Sequence, residues 1–173
     1  MGGAVAAFKP RFSLFCTGLD RLRWYSRMNR AYPDQFFAMQ TRILIIEDHV
    51  LVREAMALTL AQVGEGVSCQ QASNATEAIA MLEADPDCDL LVVDLMLPEI
   101  NGFSLLGVIA KRFPDVPALV VSALDDRESV QRAMKAGASG FVSKASPSNT
   151  LIEAVRTVLA GGVFTPDAAT AGD

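Results

Sequence analysis

Residues 90–102 read Leu-Leu-Val-Val-Asp-Leu-Met-Leu-Pro-Glu-Ile-Asn-Gly. Four apolar residues end in the carboxylate of Asp94, and turn punctuation follows at Pro98 and Asn101-Gly102. A short apolar run bounded by turn signals is the pattern of a strand buried on both faces. The next stretch, 103–112, has helical periodicity, so the whole reads as strand, turn, helix. The same unit recurs outward from it. Strands are expected at 42–46, 67–71, 90–93, 118–121 and 140–142, and helices at 50–63, 75–84, 103–112, 127–136 and 149–159. Gly64, Gly66, Pro86, Pro114, Pro117, Gly137 and Pro147 fall in the gaps between them. Five strands alternating with five helices imply parallel βα units and a doubly wound α/β sheet. The apolar strands are expected to be buried on both sides.

The chain has 173 residues, 51% apolar and 20% charged, the composition of an ordinary globular domain. A chain of this size buries a sizeable core without staples. Cys16, Cys69 and Cys88 show no CxxC or Cys/His ligand spacing, so they read as small buried hydrophobes, Cys69 above all. With no apolar window long enough to span a bilayer and no secretory signal order, a cytoplasmic setting away from the membrane is expected. The net charge of −5 is unevenly spread: residues 1–40 hold six Lys/Arg against two acids, and the remainder nine against eighteen. The acidic part argues against general nucleic-acid binding through it.

Residues 1–40 lack a sustained period and read as a basic extension: an arm, a translated stretch upstream of a natural start at Met39, or a targeting peptide. Residues 41–166 form the regular domain, and 167–173 the start of a linker or a tail.

In an open parallel sheet, ligands gather outside the carboxyl ends of the strands. Glu47-Asp48-His49 follows the first strand, Asp94 the third, Ser122 the fourth and Ser143-Lys144 the fifth. Three crowded carboxylates oppose joint ionisation unless a cation relieves them. Oxygen ligands that leave room for water suit Mg²⁺. With Lys144 beside the ion, the same edge suits a phosphoryl group. Taken singly, Asp94 could merely cap a turn, Glu47 and Asp48 could complement a helix dipole, Ser122 could be a turn hydroxyl, and His49 reads as a surface or capping residue.

Together, Ile43 to His49, Val92 to Gly102, Val121-Ser122-Ala123 and Gly137 to Lys144 resemble the receiver domain of two-component response regulators over about 41–166. The wording of the first helix and the ending Gly161-Gly162-Val163-Phe164-Thr165-Pro166 look most like the NarL/FixJ (LuxR-type) subfamily. The resemblance implies a flavodoxin-like (CheY-like) fold with strand order 2-1-3-4-5. It implies Asp94 as phosphoacceptor from a sensor histidine kinase, and Lys144 on the phosphoryl oxygens. Mg²⁺ would be held by Asp48, Asp94 and the backbone carbonyl of Met96, with Glu47 reaching it through water. Ser122 and Phe141 would form a switch altering the face of the fourth helix, fifth strand and fifth helix, with a homodimer through the fourth and fifth helices. Subfamily members carry a helix-turn-helix domain after a linker. Only seven residues follow Pro166, so a regulator cut in its linker, with DNA contacted only through that domain, is expected ahead of a stand-alone receiver acting as a phosphorelay or protein-interaction module.

The chain departs from the family where proline, often in a cis bond, usually follows the lysine, because Ala145 stands there. A cis bond before a non-proline residue costs about 2.5–4 kcal/mol, so trans geometry or local strain is expected. Met96 and Leu124, two residues past Asp94 and Ser122, are expected to hinder a hydrolytic water. Two enzyme-like alternatives lack their essential parts: a phosphatase with Asp94 as nucleophile would want a second acid where Met96 lies, and a nucleotide-binding module would want a Gly-rich phosphate loop.

Overall fold

The computed structural model describes residues 41–166. The strands are β1 (Thr41–Ile46), β2 (Val67–Ala72), β3 (Leu90–Val93), β4 (Ala118–Ser122) and β5 (Gly140–Ser143). The helices are α1 (Val50–Leu60), α2 (Ala75–Ala84), α3 (Gly102–Arg112), α4 (Arg127–Lys135) and α5 (Ser148–Leu159). All neighbouring strands pair in parallel, in the order β2-β1-β3-β4-β5, as the resemblance implied.

Alternation along the strands explains why nearly continuous apolar runs are needed. Leu44, Ile46, Leu91, Val93, Val120 and Phe141 point to one side, where α2, α3 and α4 cover them with Leu82, Leu105, Leu106, Ile109 and Val130. Ile43, Ile45, Val92, Leu119, Val121 and Val142 point to the other, under Met56 and Leu60 of α1 and Leu151, Val155 and Val158 of α5. Each fully buried side chain of this size contributes about 1.5–3 kcal/mol over leaving it in water.

β2 departs from the expectation of burial on both sides. It is an edge strand paired only to β1, and Ser68, Gln70 and Gln71 are exposed. Cys69 is therefore only half-buried, and Cys88 is the buried thiol; Cys16 lies outside the described residues. Of the methionines at helical spacing, Met56 is buried, while Met81 and Met134 pack partly buried against the core. Helix α1 stops three residues short of the expected end. There the backbone tightens, with Gln62 and Val63 N–H donating to the carbonyls of Thr59 and Leu60, before Gly66 turns the chain at φ 80°. No described peptide bond is cis, so Lys144-Ala145 is trans.

Candidate functional site

The carboxyl ends of β1, β3, β4 and β5 bring the polar residues onto one edge. Glu47, Asp94 and Ser122 are the buried polar side chains among the described residues, at 0%, 1% and 0% exposure. Buried charge is costly unless partnered, and here Lys144 is the partner. Its Nζ donates to Glu47 Oε2 at 2.6 Å and to Asp94 Oδ2 at 2.8 Å. Burial pulls the Lys144 pKa down, but these two hydrogen bonds and the negative charges behind them outweigh it and raise it.

The backbone fixes these groups from several directions. Glu47 N–H donates to Ala72 and Asp94 N–H to Ile46, tying the strand ends together. The Arg53 guanidinium on α1 donates to the Glu47 carbonyl at 2.6 Å and to Gln71 Oε1 at 3.1 Å. After Asp94 the chain loops back so that Gly102 N–H reaches the Leu95 carbonyl at 3.0 Å. Gly102 is required at that crossing: a Cβ there would lie 2.4 Å from the Asp94 carbonyl oxygen and 2.5 Å from Leu95 Cα. Asn101 caps α3 by accepting from Ser104 N–H. Within the loop Glu99 sits at φ 65°, Met96 is exposed and Ile100 partly so; Leu124, in the loop after β4, is partly exposed as well.

Two carboxylate oxygens, Asp48 Oδ1 and Asp94 Oδ1, are buried and accept no hydrogen bond. His49 Nδ1 comes within 2.9 Å of Asp48 Oδ1, a short charge separation without hydrogen-bond geometry. Orphaned buried anionic oxygens call for a cation. The hard oxygen donors of Asp48 and Asp94, with Glu47 adjacent, fit a divalent ion such as Mg²⁺. His49 bears out the capping expectation in part: it is the N-cap residue of α1, but its side chain makes no cap bond. Its ring is 67% exposed. The hydrogen bond with Glu47, then the charge of Asp48, raises its pKa. Glu47, Asp48 and His49 can bring one ligand atom each within 4.8 Å of one another.

Ser122 Oγ accepts from Leu124 N–H at 3.2 Å, which tucks the hydroxyl under its own loop. Phe141 is fully buried among the core residues beneath α4. Two site residues escaped the sequence reading. Arg53 acts through a backbone carbonyl, which no side-chain pattern reveals, and Asp125 accepts from Ser143 Oγ at 2.7 Å, a contact between two strand-end loops that sequence spacing does not encode. Among the described residues, no helix is long and apolar enough to cross a membrane.

Residues 43–156 match the response regulator receiver domain. The chain is 35% identical over 124 residues to the transcriptional regulatory protein DegU of Brevibacillus brevis, covering 71% of this chain and 52% of that protein. It is 31% identical over 125 residues to the glycerol metabolism activator of Pseudomonas putida, covering 72% and 57%. It thus spans about half the length of the curated relatives it matches. A crystal structure of a LuxR family DNA-binding response regulator from Silicibacter pomeroyi superposes with TM-score 0.67 at 30% identity, covering 74% of this chain and 98% of that one. The isolated REC domain of RcsB from Salmonella enterica, solved with phosphomimetic BeF3⁻, shares the fold at TM-score 0.68 and 22% identity, covering 76% and 97%. The acidic edge, the lysine and the matched span agree: this chain belongs to the response regulators of two-component systems and carries their receiver domain, with LuxR-type proteins among its relatives.

Proposed function

We propose that residues 41–166 act as a phosphorylation-driven receiver in which Asp94 takes a phosphoryl group from a phosphohistidine of a sensor histidine kinase. The observation that carries this reading is the pairing of two orphaned buried oxygens, on Asp48 and Asp94, with a lysine bridging Asp94 and Glu47. Mg²⁺, when bound, supplies charge neutralisation for the phosphoryl oxygens. Asp48, Asp94 and the Met96 backbone carbonyl would hold it, with Glu47 reaching it through water.

The Asp94 Oδ1 lone pair attacks phosphorus, the P–N bond breaks, and the imidazole leaves with the bonding pair and takes up a proton. The product is an acyl phosphate on Asp94. Lys144 Nζ, already 2.8 Å from Asp94 Oδ2, turns toward the incoming oxygens. The new charge then draws the Ser122 hydroxyl from Leu124 N–H, and the loop after β4 follows it. Ser122 and Phe141 together couple this to the α4–β5–α5 face, where a homodimer through α4 and α5 would form. The relatives named as transcriptional regulators favour a DNA-binding output beyond this chain over a stand-alone module.

Incubation with acetyl phosphate, with and without Mg²⁺, followed by intact mass of wild type and Asp94→Asn, tests the reading. One phosphoryl group added only with Mg²⁺ and only to wild type is expected. No addition to folded wild type under either condition refutes it.

A further inference from the structure

Ser122 and Ser143 are register partners on adjacent strands, so the loops after β4 and β5 leave the sheet side by side. Lys144 N–H extends that pairing by donating to the Ser122 carbonyl at 2.9 Å. One residue earlier, the Ser143 hydroxyl is engaged in both directions. It donates to Asp125 Oδ2 at 2.7 Å and accepts from Ala145 N–H at 3.2 Å, while Ser146 N–H closes a turn on the Ser143 carbonyl at 3.0 Å. A charged acceptor makes the first of these the stronger kind of hydrogen bond. The Ala145 bond exists only because residue 145 has an N–H to give.

We propose that Asp125 and Ser143 are positioning residues for Lys144. Their hydrogen bond clasps the two loops and holds the lysine backbone where its ammonium meets Asp94 and the incoming phosphoryl oxygens. A lysine side chain is flexible along its whole stem. At its far end the ammonium is held by Glu47 and Asp94, and these contacts rearrange when a phosphoryl group arrives. Only the near end can keep the ammonium in register through the transfer; there the Lys144 N–H bond to the Ser122 carbonyl continues the strand pairing, and the clasp holds the two loops together beside it. It also ties Lys144 to the loop that starts at Ser122, three residues before Asp125. This inference rests on the phosphoacceptor reading above.

The test uses the full chain as wild type, Asp125→Ala, Ser143→Ala, Ser143→Thr and the double alanine variant. The phosphorylation rate with acetyl phosphate and Mg²⁺ is measured together with beryllium fluoride affinity, Mg²⁺ affinity and Tm. Each alanine variant is expected to lose about tenfold in rate and in beryllium fluoride affinity, the low end for supports of a charged site. Mg²⁺ affinity and Tm stay at wild-type values, Ser143→Thr retains the rate, and the double variant is no slower than Ser143→Ala, because Asp125→Ala removes only a bond that Ser143→Ala has already removed. Wild-type rates in both alanine variants, additive losses in the double variant, or an equal loss of Mg²⁺ affinity would each overturn the clasp while leaving the phosphoacceptor reading intact. A wild-type protein that takes no phosphoryl group would instead overturn that reading, and the clasp's role with it.

Discussion

Lys144 Nζ lies 2.8 Å from Asp94 Oδ2, a contact between residues 50 apart in sequence that neutralises a carboxylate only 1% exposed. Because Glu47 shares the same ammonium at 2.6 Å, one ammonium serves two buried anions, and Asp48 has only the exposed His49 ring beside its Oδ1, at 2.9 Å.

The first prediction follows from that imbalance. Lys144→Met removes a positive charge beside the cation site, so Mg²⁺ affinity rises by about tenfold. That is about 1.4 kcal/mol, modest beside the several kcal/mol two nearby charges exchange at partial burial. Titration calorimetry checks it, and unchanged or weaker Mg²⁺ binding would contradict the proposed seat of the ion.

The same lysine sets a pH dependence. Its folded pKa is raised above the ordinary 10.5, so its stabilising contribution is fully present below that value and is lost as pH rises through the higher folded pKa. Chemical denaturation of wild type between pH 10 and 12 is expected to show a steeper loss of stability than Lys144→Met. Parallel profiles would remove Lys144 as the cause.

Gly102→Ala places a methyl group 2.4 Å from the Asp94 carbonyl oxygen and 2.5 Å from Leu95 Cα. Both are backbone atoms that cannot swing away. A stability loss of about 1–3 kcal/mol is expected for such overpacking, with slower phosphorylation because the displaced loop carries Asp94. A variant with wild-type stability and rate would show that the loop yields freely.

What could be read in advance divides by the kind of physics involved. The strands and helices were legible because an alternating strand between two helical layers demands the apolar runs seen at Leu90 to Val93 and Ala118 to Val121. Sheet order was legible only through the family resemblance, since no residue at a strand records its neighbour. Edge status escaped for the same reason, and Cys69 was expected buried where it is half-buried. At the site, residue types at strand ends placed Glu47, Asp94 and Lys144 on one edge. Which oxygen each ammonium proton reaches, and that Arg53 holds a carbonyl, depend on side-chain paths that sequence spacing does not encode.

Cys88 offers a check on the core. Burial pushes its thiol up to about 11, so at pH 8 it stays protonated and shielded. Alkylation of native protein followed by peptide mass mapping is expected to leave Cys88 unmodified until denaturant is added. Rapid native labelling would mean that the region before β3 opens readily.

The lifetime of the phosphorylated state is set by access of a water in line with the Asp94 acyl phosphate. Met96 is 54% exposed, and Leu124 and Ile100 are 39% and 38% exposed, so the side chains at those three positions offer apolar surface and no strong hydrogen-bonding group to a water approaching Asp94. Water entering there gains little orientation and loses hydration. Met96→Asn puts an amide on the rim that can hold such a water, and one hydrogen bond of about 1 kcal/mol in the transition state corresponds to about a fivefold faster hydrolysis. Loss of the phosphoryl group is followed by intact mass after acetyl phosphate is removed. Wild type is expected to outlast Met96→Asn by that factor, with equal phosphorylation rates in the two proteins. Rapid hydrolysis that Met96→Asn leaves unchanged would mean that the rim does not govern the water.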